Sequence, residues 1–120
     1  MERTDRYIQY IPKIRNIDLD MLVDVMSLED MDVVQQEGVK GIIEEICDWL
    51  EWQLWHKNEQ TITNVQSIFT PEFKGYKEVF ESCKENHIFS WIGCESEGHA
   101  KYWLNRVLSY WNDIVYAVGL

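Results

Sequence analysis

A chain of 120 residues with 46% apolar content, six Trp, six Tyr and four Phe has material for one folded domain, which excludes a disordered segment. Eleven Lys and Arg against 21 Asp and Glu leave a net charge of −10. That excludes direct nucleic-acid binding by the surface as a whole, because such affinity rests on cationic neutralisation of phosphates.

Six Gly and two Pro leave few turn signals and favour helices over a many-turned β fold. Three cysteines in no paired spacing read as reduced and intracellular. The N-terminal stretch MERTDRYIQY has no apolar signal core, and no run approaches the roughly 18 apolar residues of a membrane span. The expectation is a cytoplasmic protein or domain that makes no membrane contact.

In chain order, Arg3 to Arg15 carries Ile8, Ile11 and Ile14 on one face, with Pro12 inside the pattern. This predicts a helix that bends or breaks near Tyr10. Asp18 is a cap for a short second helix with a Leu19, Leu22, Val23 and Met26 stripe. Ser27 to Asp30 resembles a capping box, opening a third helix through Met31, Val34 and Gln35 that ends at Gly38. A fourth helix follows Gly41, with Ile42, Ile43, Ile46, Leu50 and Leu54 inward and Glu44, Glu45, Asp48 and Glu51 on its acidic side. Trp49, Trp52 and Trp55 make its apolar face wider than a surface helix needs, which implies deep burial or a docking surface.

His56 to Ile68 reads as a loop. Thr70, Pro71 and Glu72 then give a helix-start signal, and Phe73, Tyr76, Phe80 and Cys83 recur at helical spacing. A short sixth helix covers His87 to Ile92, and Gly93 to Gly98 is a connector. The last element, His99 to Val118, has the most regular amphipathic pattern. Trp103, Leu104, Val107, Leu108, Trp111, Ile114, Val115 and Val118 form its stripe, opposite Lys101, Asn105, Arg106, Ser109, Asn112 and Asp113. The predicted fold is all-α, a compact bundle of six to seven helices.

No phosphate-binding glycine loop, nucleophile elbow or zinc-protease helix motif is present, so no enzyme and no cofactor are expected. Cys83, His87, Cys94 and His99, spaced C-x3-H-x6-C-x4-H, are the one set with zinc-ligand chemistry. Their intervals match no usual finger, and Cys83 also fits an apolar stripe, so no metal is assigned. The tryptophans lack the basic groove that nucleobase stacking needs. Charge is more informative. Arg3, Arg6, Lys13 and Arg15 lie on the first helix; Asp18, Asp20, Asp24, Glu29, Asp30 and Asp32 lie on the second and third. Such patches either neutralise one another within the bundle or serve a head-to-tail assembly of copies.

The helix order, with Phe73-Lys74-Gly75-Tyr76, Glu78-Val79-Phe80-Glu81, Trp91-Ile92 and the stretch Leu19 to Met26, resembles a caspase recruitment domain (CARD) of the death-fold superfamily. It is most similar to the N-terminal CARDs of RIG-I-like RNA helicases. The resemblance spans Arg3 to Ile92. The acidic fourth helix, the long Gln53–Phe69 connection and the terminal helix depart from that pattern. It implies a CARD-like unit over residues 1–92. Residues 93–120 are then a connector and a helix that packs on the bundle or begins a second module.

The resemblance further implies a non-catalytic protein-interaction domain in antiviral or small-RNA pathways, binding another CARD-like domain or a second copy. Asp24, Glu29, Asp30 and Asp32 would form one contact patch, and Arg3, Arg6, Lys13 and Arg15 the other. The alternative is a small acidic inhibitor, such as a phage antirestriction, anti-CRISPR or toxin-immunity protein. It would block a basic protein surface with the Glu44, Asp48 and Glu51 face.

Overall fold

Ile11 and Ile14, one helical turn apart, set the first element of the computed structural model, which describes residues 10–55 and 75–119, with backbone alone for 53–55. Seven helices are built from the described residues, and no strand is found among them. The first, α1, covers 10–15 and buries both isoleucines. Asn16 closes it, because its backbone N–H and side-chain amide both donate to the Pro12 carbonyl, at 3.0 and 2.9 Å. The expected bend near Tyr10 falls at the border of the described residues, and Ile8 lies outside them.

Helix α2 spans Leu19–Met26, capped by Asp18, whose carboxylate accepts from the Asp20 N–H at 2.9 Å. Leu22 and Met26 are buried, and Leu19 and Val23 are half-buried against the same core. Ser27 then takes a left-handed conformation (φ 56°), and the Leu28 N–H donates to the Val23 carbonyl at 3.0 Å. With Leu28 itself buried, this is a Schellman-type stop. Ser27 therefore ends a helix, where the sequence pattern had it starting one.

The next helix starts instead at Asp32. The Asp32 carboxylate accepts from the Gln35 N–H at 2.9 Å, and the Gln35 side chain accepts from the Asp32 N–H at 3.1 Å. This reciprocal pair is a capping box one turn later than expected. From it runs α3, Val33–Trp55, 23 residues without interruption. The expected third and fourth helices are thus one.

Neither Gly38 nor Gly41, the expected helix boundaries, has a positive φ, and both are buried. Their small size serves packing. A Cβ on Gly38 would lie 2.7 Å from Ile92 Cγ1 and 3.2 Å from the Ile92 nitrogen; one on Gly41 would lie 3.2 Å from Ile88 Cγ2. Each glycine weakens the helix by about 1 kcal/mol relative to Ala, and the close approach it allows offsets that loss.

Helix α4 is Tyr76–Glu85 and begins after Gly75; the helix-start signal at Thr70, Pro71 and Glu72 lies outside the described residues, as do Phe73 and the expected loop at His56 to Ile68. Val79, Phe80 and Cys83 are buried and Tyr76 is half-buried, close to the predicted face. His87, at φ 60°, turns the chain into α5, Ile88–Ile92, which Gly93 ends at φ 91°. The Phe80 and Phe89 rings, 5.2 Å apart, join α4 to α5.

Ser96 caps α6, Glu97–Ser109, by accepting from the His99 N–H at 3.1 Å. The chain breaks at Tyr110 and resumes as α7, Trp111–Ala117, so the single terminal helix of the sequence reading is two. At the break the Ser109 hydroxyl donates back to the Arg106 carbonyl at 2.8 Å, a contact that competes with the helical ladder. The predicted stripe is intact: Trp103, Leu104, Val107, Leu108, Trp111 and Ile114 are buried, and Val115 and Val118 are half-buried.

Helix α3 is the axis of this all-α bundle. It touches α2, α4, α5 and α6, and α7 closes against α2 and α6. The residues of α6 and α7 enter the same buried cluster as those of α1 to α5. None of the helices among the described residues is long and apolar enough to cross a membrane.

Candidate interaction surfaces

Arg15, at the end of α1, reaches α3. Its Nη2 lies 2.7 Å from Asp48 Oδ1 and also bonds the Glu51 carboxylate. Burial works against the Arg15 charge, but the hydrogen bond and charge of Asp48, with Glu51 adding, outweigh it and raise its pKa. These are the ion pairs between described residues, so Arg15 pairs with α3, and among the described residues no ion pair joins α1 to the acidic second helix or the turn after it. Lys13 is exposed and sits 5.9 Å over the Tyr10 ring. Arg3 and Arg6 lie outside the described residues. Of the basic patch drawn from sequence, Arg15 is therefore occupied within the molecule.

The acidic patch is placed at the corner between α2 and α3. Asp24, Glu29, Asp30 and Asp32 are all exposed, and the corner backbone is tied down from within. The Gln36 side chain donates to the Leu28 and Met31 carbonyls, each at 3.0 Å. Arg106 donates to the Met26 carbonyl at 2.9 Å while its guanidinium stacks 4.8 Å over Trp103. Asp32 has a structural role as the α3 cap. Asp24, Glu29 and Asp30 form no ion pair with any described residue, so they stand on a rigid corner with their charge facing solvent.

A third surface was visible in sequence only as the excess width of the Trp face. Between α3 and α4 runs a groove of about 370 Å³ lined by Glu45, Asp48, Trp49, Trp52, Glu78, Val79, Ser82 and Asn86. Trp49 is half-buried against the core, whereas Trp52 is 56% exposed. Leu54 and Trp55 lie beyond the described side chains. Burial pushes the Glu45 carboxyl above its ordinary range, and Asp48 and Glu44 add to this while a hydrogen bond from Ser82 opposes it. Asn86 Nδ2 donates to Glu45 Oε2 at 3.4 Å. The α3 half of the groove follows from helical spacing, because Glu45, Asp48, Trp49 and Trp52 share a face. Its α4 half depends on which helices pair, and no local pattern records that.

The four zinc-type residues do not converge. Among the described residues no group of three or more His, Cys, Asp or Glu is gathered as a metal site. Cys83 is fully buried on α4, and burial raises its thiol pKa to about 12. His87 and His99 are exposed, and the His99 ring neighbours Tyr102 at 6.2 Å. Cys94 shares a cleft of about 250 Å³ with His87 and Lys84, but burial raises its pKa too, the opposite of what a thiolate nucleophile needs. Cys47 is buried near the Ile11 carbonyl, and desolvation raises its pKa strongly. All three thiols are free. No protein family, curated protein or solved structure matches the chain.

Proposed function

We propose that this chain is a non-catalytic protein-interaction domain that meets a basic protein face through the α2–α3 corner. The observation that carries the reading is the position of Asp24, Glu29 and Asp30: exposed, unpaired among the described residues, and mounted on backbone held by Gln36 and Arg106. Rigid mounting lowers the entropy lost on association, and charge complementary to a basic face speeds and orients the encounter.

In its finer form the proposal is a CARD-like domain, binding another such domain or a second copy in the cytoplasm, in the antiviral or small-RNA setting of RNA-sensing helicases. The sequence resemblance supports this form. The uninterrupted α3 departs from separate third and fourth helices, so the proposal rests on the charged corner and not on helix order.

The test is charge reversal at Glu29 and Asp30 in the full chain, both to Lys, used as bait beside the wild type. Loss of a basic-faced partner with unchanged helicity by circular dichroism is the expected result. Equal capture by both baits overturns the corner as contact surface. The acidic outer side of α3 favours a second reading, an inhibitor that blocks a basic protein surface. Asp48 and Glu51 are held by Arg15, so Glu44 and Glu45 would carry that contact. A nuclease or CRISPR effector inhibited by the chain would support it.

A further inference from the structure

We propose that the groove between α3 and α4 docks an arginine-bearing segment of a protein partner. The guanidinium would lie against the Trp52 indole within reach of the Glu45 and Glu78 carboxylates. This surface is distinct from the α2–α3 corner and goes beyond the reading above.

Charge complementarity selects the occupant. Among the described residues the lining holds three carboxylates, two indoles and Val79, and no cationic side chain. Arg15 approaches Asp48 and Glu51 from α1, and among the described residues Glu45 and Glu78 are the groove's acids that form no ion pair. That contact also shows how this helix receives a guanidinium, since one group on Arg15 engages two carboxylates a turn apart. A volume of about 370 Å³ accommodates a long side chain with part of its backbone. Arginine fits better than lysine, because a planar guanidinium stacks on an indole while its edges donate to carboxylates. An anionic or purely apolar occupant would leave the acids unpaired, and a partly buried Glu45 makes that costly.

The probe is a short capped peptide with three arginines alternating with glycine, beside its citrulline counterpart of equal shape and no charge. Titration by calorimetry is made at about 0.15 M salt, where diffuse attraction is screened beyond about 8 Å. The arginine peptide is expected to bind and the citrulline peptide not. The Glu45→Gln/Glu78→Gln pair, and separately Trp52→Leu, should each weaken binding about tenfold or more. The Glu29→Gln/Asp30→Asn pair removes the same charge at the other corner and should change binding by less than about twofold.

Indole N–H resonances give a readout that does not depend on any variant folding: those of Trp49 and Trp52 should move on titration, and those of buried Trp103 and Trp111 should stay. Equal loss from both acidic pairs, binding of the citrulline peptide, unmoved Trp49 and Trp52 resonances, or no binding by the folded wild type each overturns the proposal. None of these results bears on the Glu29 and Asp30 charge-reversal test, so the two readings fail separately.

Discussion

The two ends of α3 meet their neighbours in opposite ways. Near its start, Gly38 and Gly41 bring the helix so close to α5 that a single added methyl group would collide with Ile92. Near its end, Glu45, Asp48, Trp49 and Trp52 stand between the helix and α4, and a groove remains. Backbone geometry is the same at both ends. Side-chain size at the contact sets the separation between helices, and so decides which end is core and which is surface. The tight end also carries a polar tie, because the Gln35 side chain donates to the Ile92 carbonyl at 3.1 Å. A chain with an all-round apolar α3 would have had no open end, and with it no candidate groove.

Truncations toward the two ends of α3 break the comparison most sharply. Ile42 is fully buried, and Ile42→Ala should lower unfolding free energy by about 2–5 kcal/mol through lost burial and the cavity left behind. Trp52→Ala removes a larger side chain, yet one that is 56% exposed, and should cost less than about 1 kcal/mol. Urea unfolding followed by circular dichroism measures both. A Trp52 loss equal to that of Ile42 would mean that the groove end is core after all.

A smaller effect separates the two glycines. Gly38→Ala gains about 1 kcal/mol of helix propensity, but it drives a methyl into Ile92 Cγ1 and the Ile92 backbone. Overpacking of that kind costs about 1–3 kcal/mol, and the backbone nitrogen cannot turn aside, so net destabilisation is expected. At Gly41 the neighbours are Ile88 side-chain atoms at 3.2–3.4 Å, which can yield by a few tenths of an ångström. Gly41→Ala should therefore be close to neutral. Thermal unfolding of the two variants side by side checks the ranking, and a stabilised Gly38→Ala would show that α5 is less tightly seated than the contacts indicate.

Those glycines also show where the sequence was legible and where it was not. The stripe from Trp103 to Val118, the Asp18 cap and the Gly93 stop are local signals, written within one or two turns, and the structure follows them. Gly38 and Gly41 carry the same local letter as a helix stop. Their meaning comes from Ile88 and Ile92, which no pattern around residue 40 displays. The Ser27–Asp30 stretch misleads for a similar reason: Leu28 belongs in the core, which pulls Ser27 into a left-handed turn and moves the cap to Asp32. Among the surfaces, Asp24, Glu29 and Asp30 stand out in the sequence as an acidic patch, and all three are exposed. The capture of Arg15 by Glu51, 36 residues away, is not legible in the sequence.

The smallest effect concerns charge at the open end, and it has a definite sign. Burial raises the Glu45 carboxyl above its ordinary value of 4.5, with Asp48 and Glu44 adding and Ser82 and Arg15 opposing. The folded chain then holds that proton more tightly than the unfolded chain does. This contribution to stability is fully present below pH 4.5 and is lost as pH rises through the folded-state value. Glu45→Gln does not titrate, and its amide can still meet Ser82 and Asn86. Relative to wild type it should be most stabilising at pH 7, and the advantage should vanish below 4.5. Urea midpoints at pH 7 and pH 4 read this difference. Gly41→Ala, whose added methyl meets the Ile88 side chain first, at 3.2–3.4 Å, should show no such pH dependence. If both variants respond to pH alike, the charge effect belongs to the whole bundle and not to the groove. A response confined to Glu45→Gln ties the electrostatic strain to the wide end of α3, where a cationic partner would relieve it.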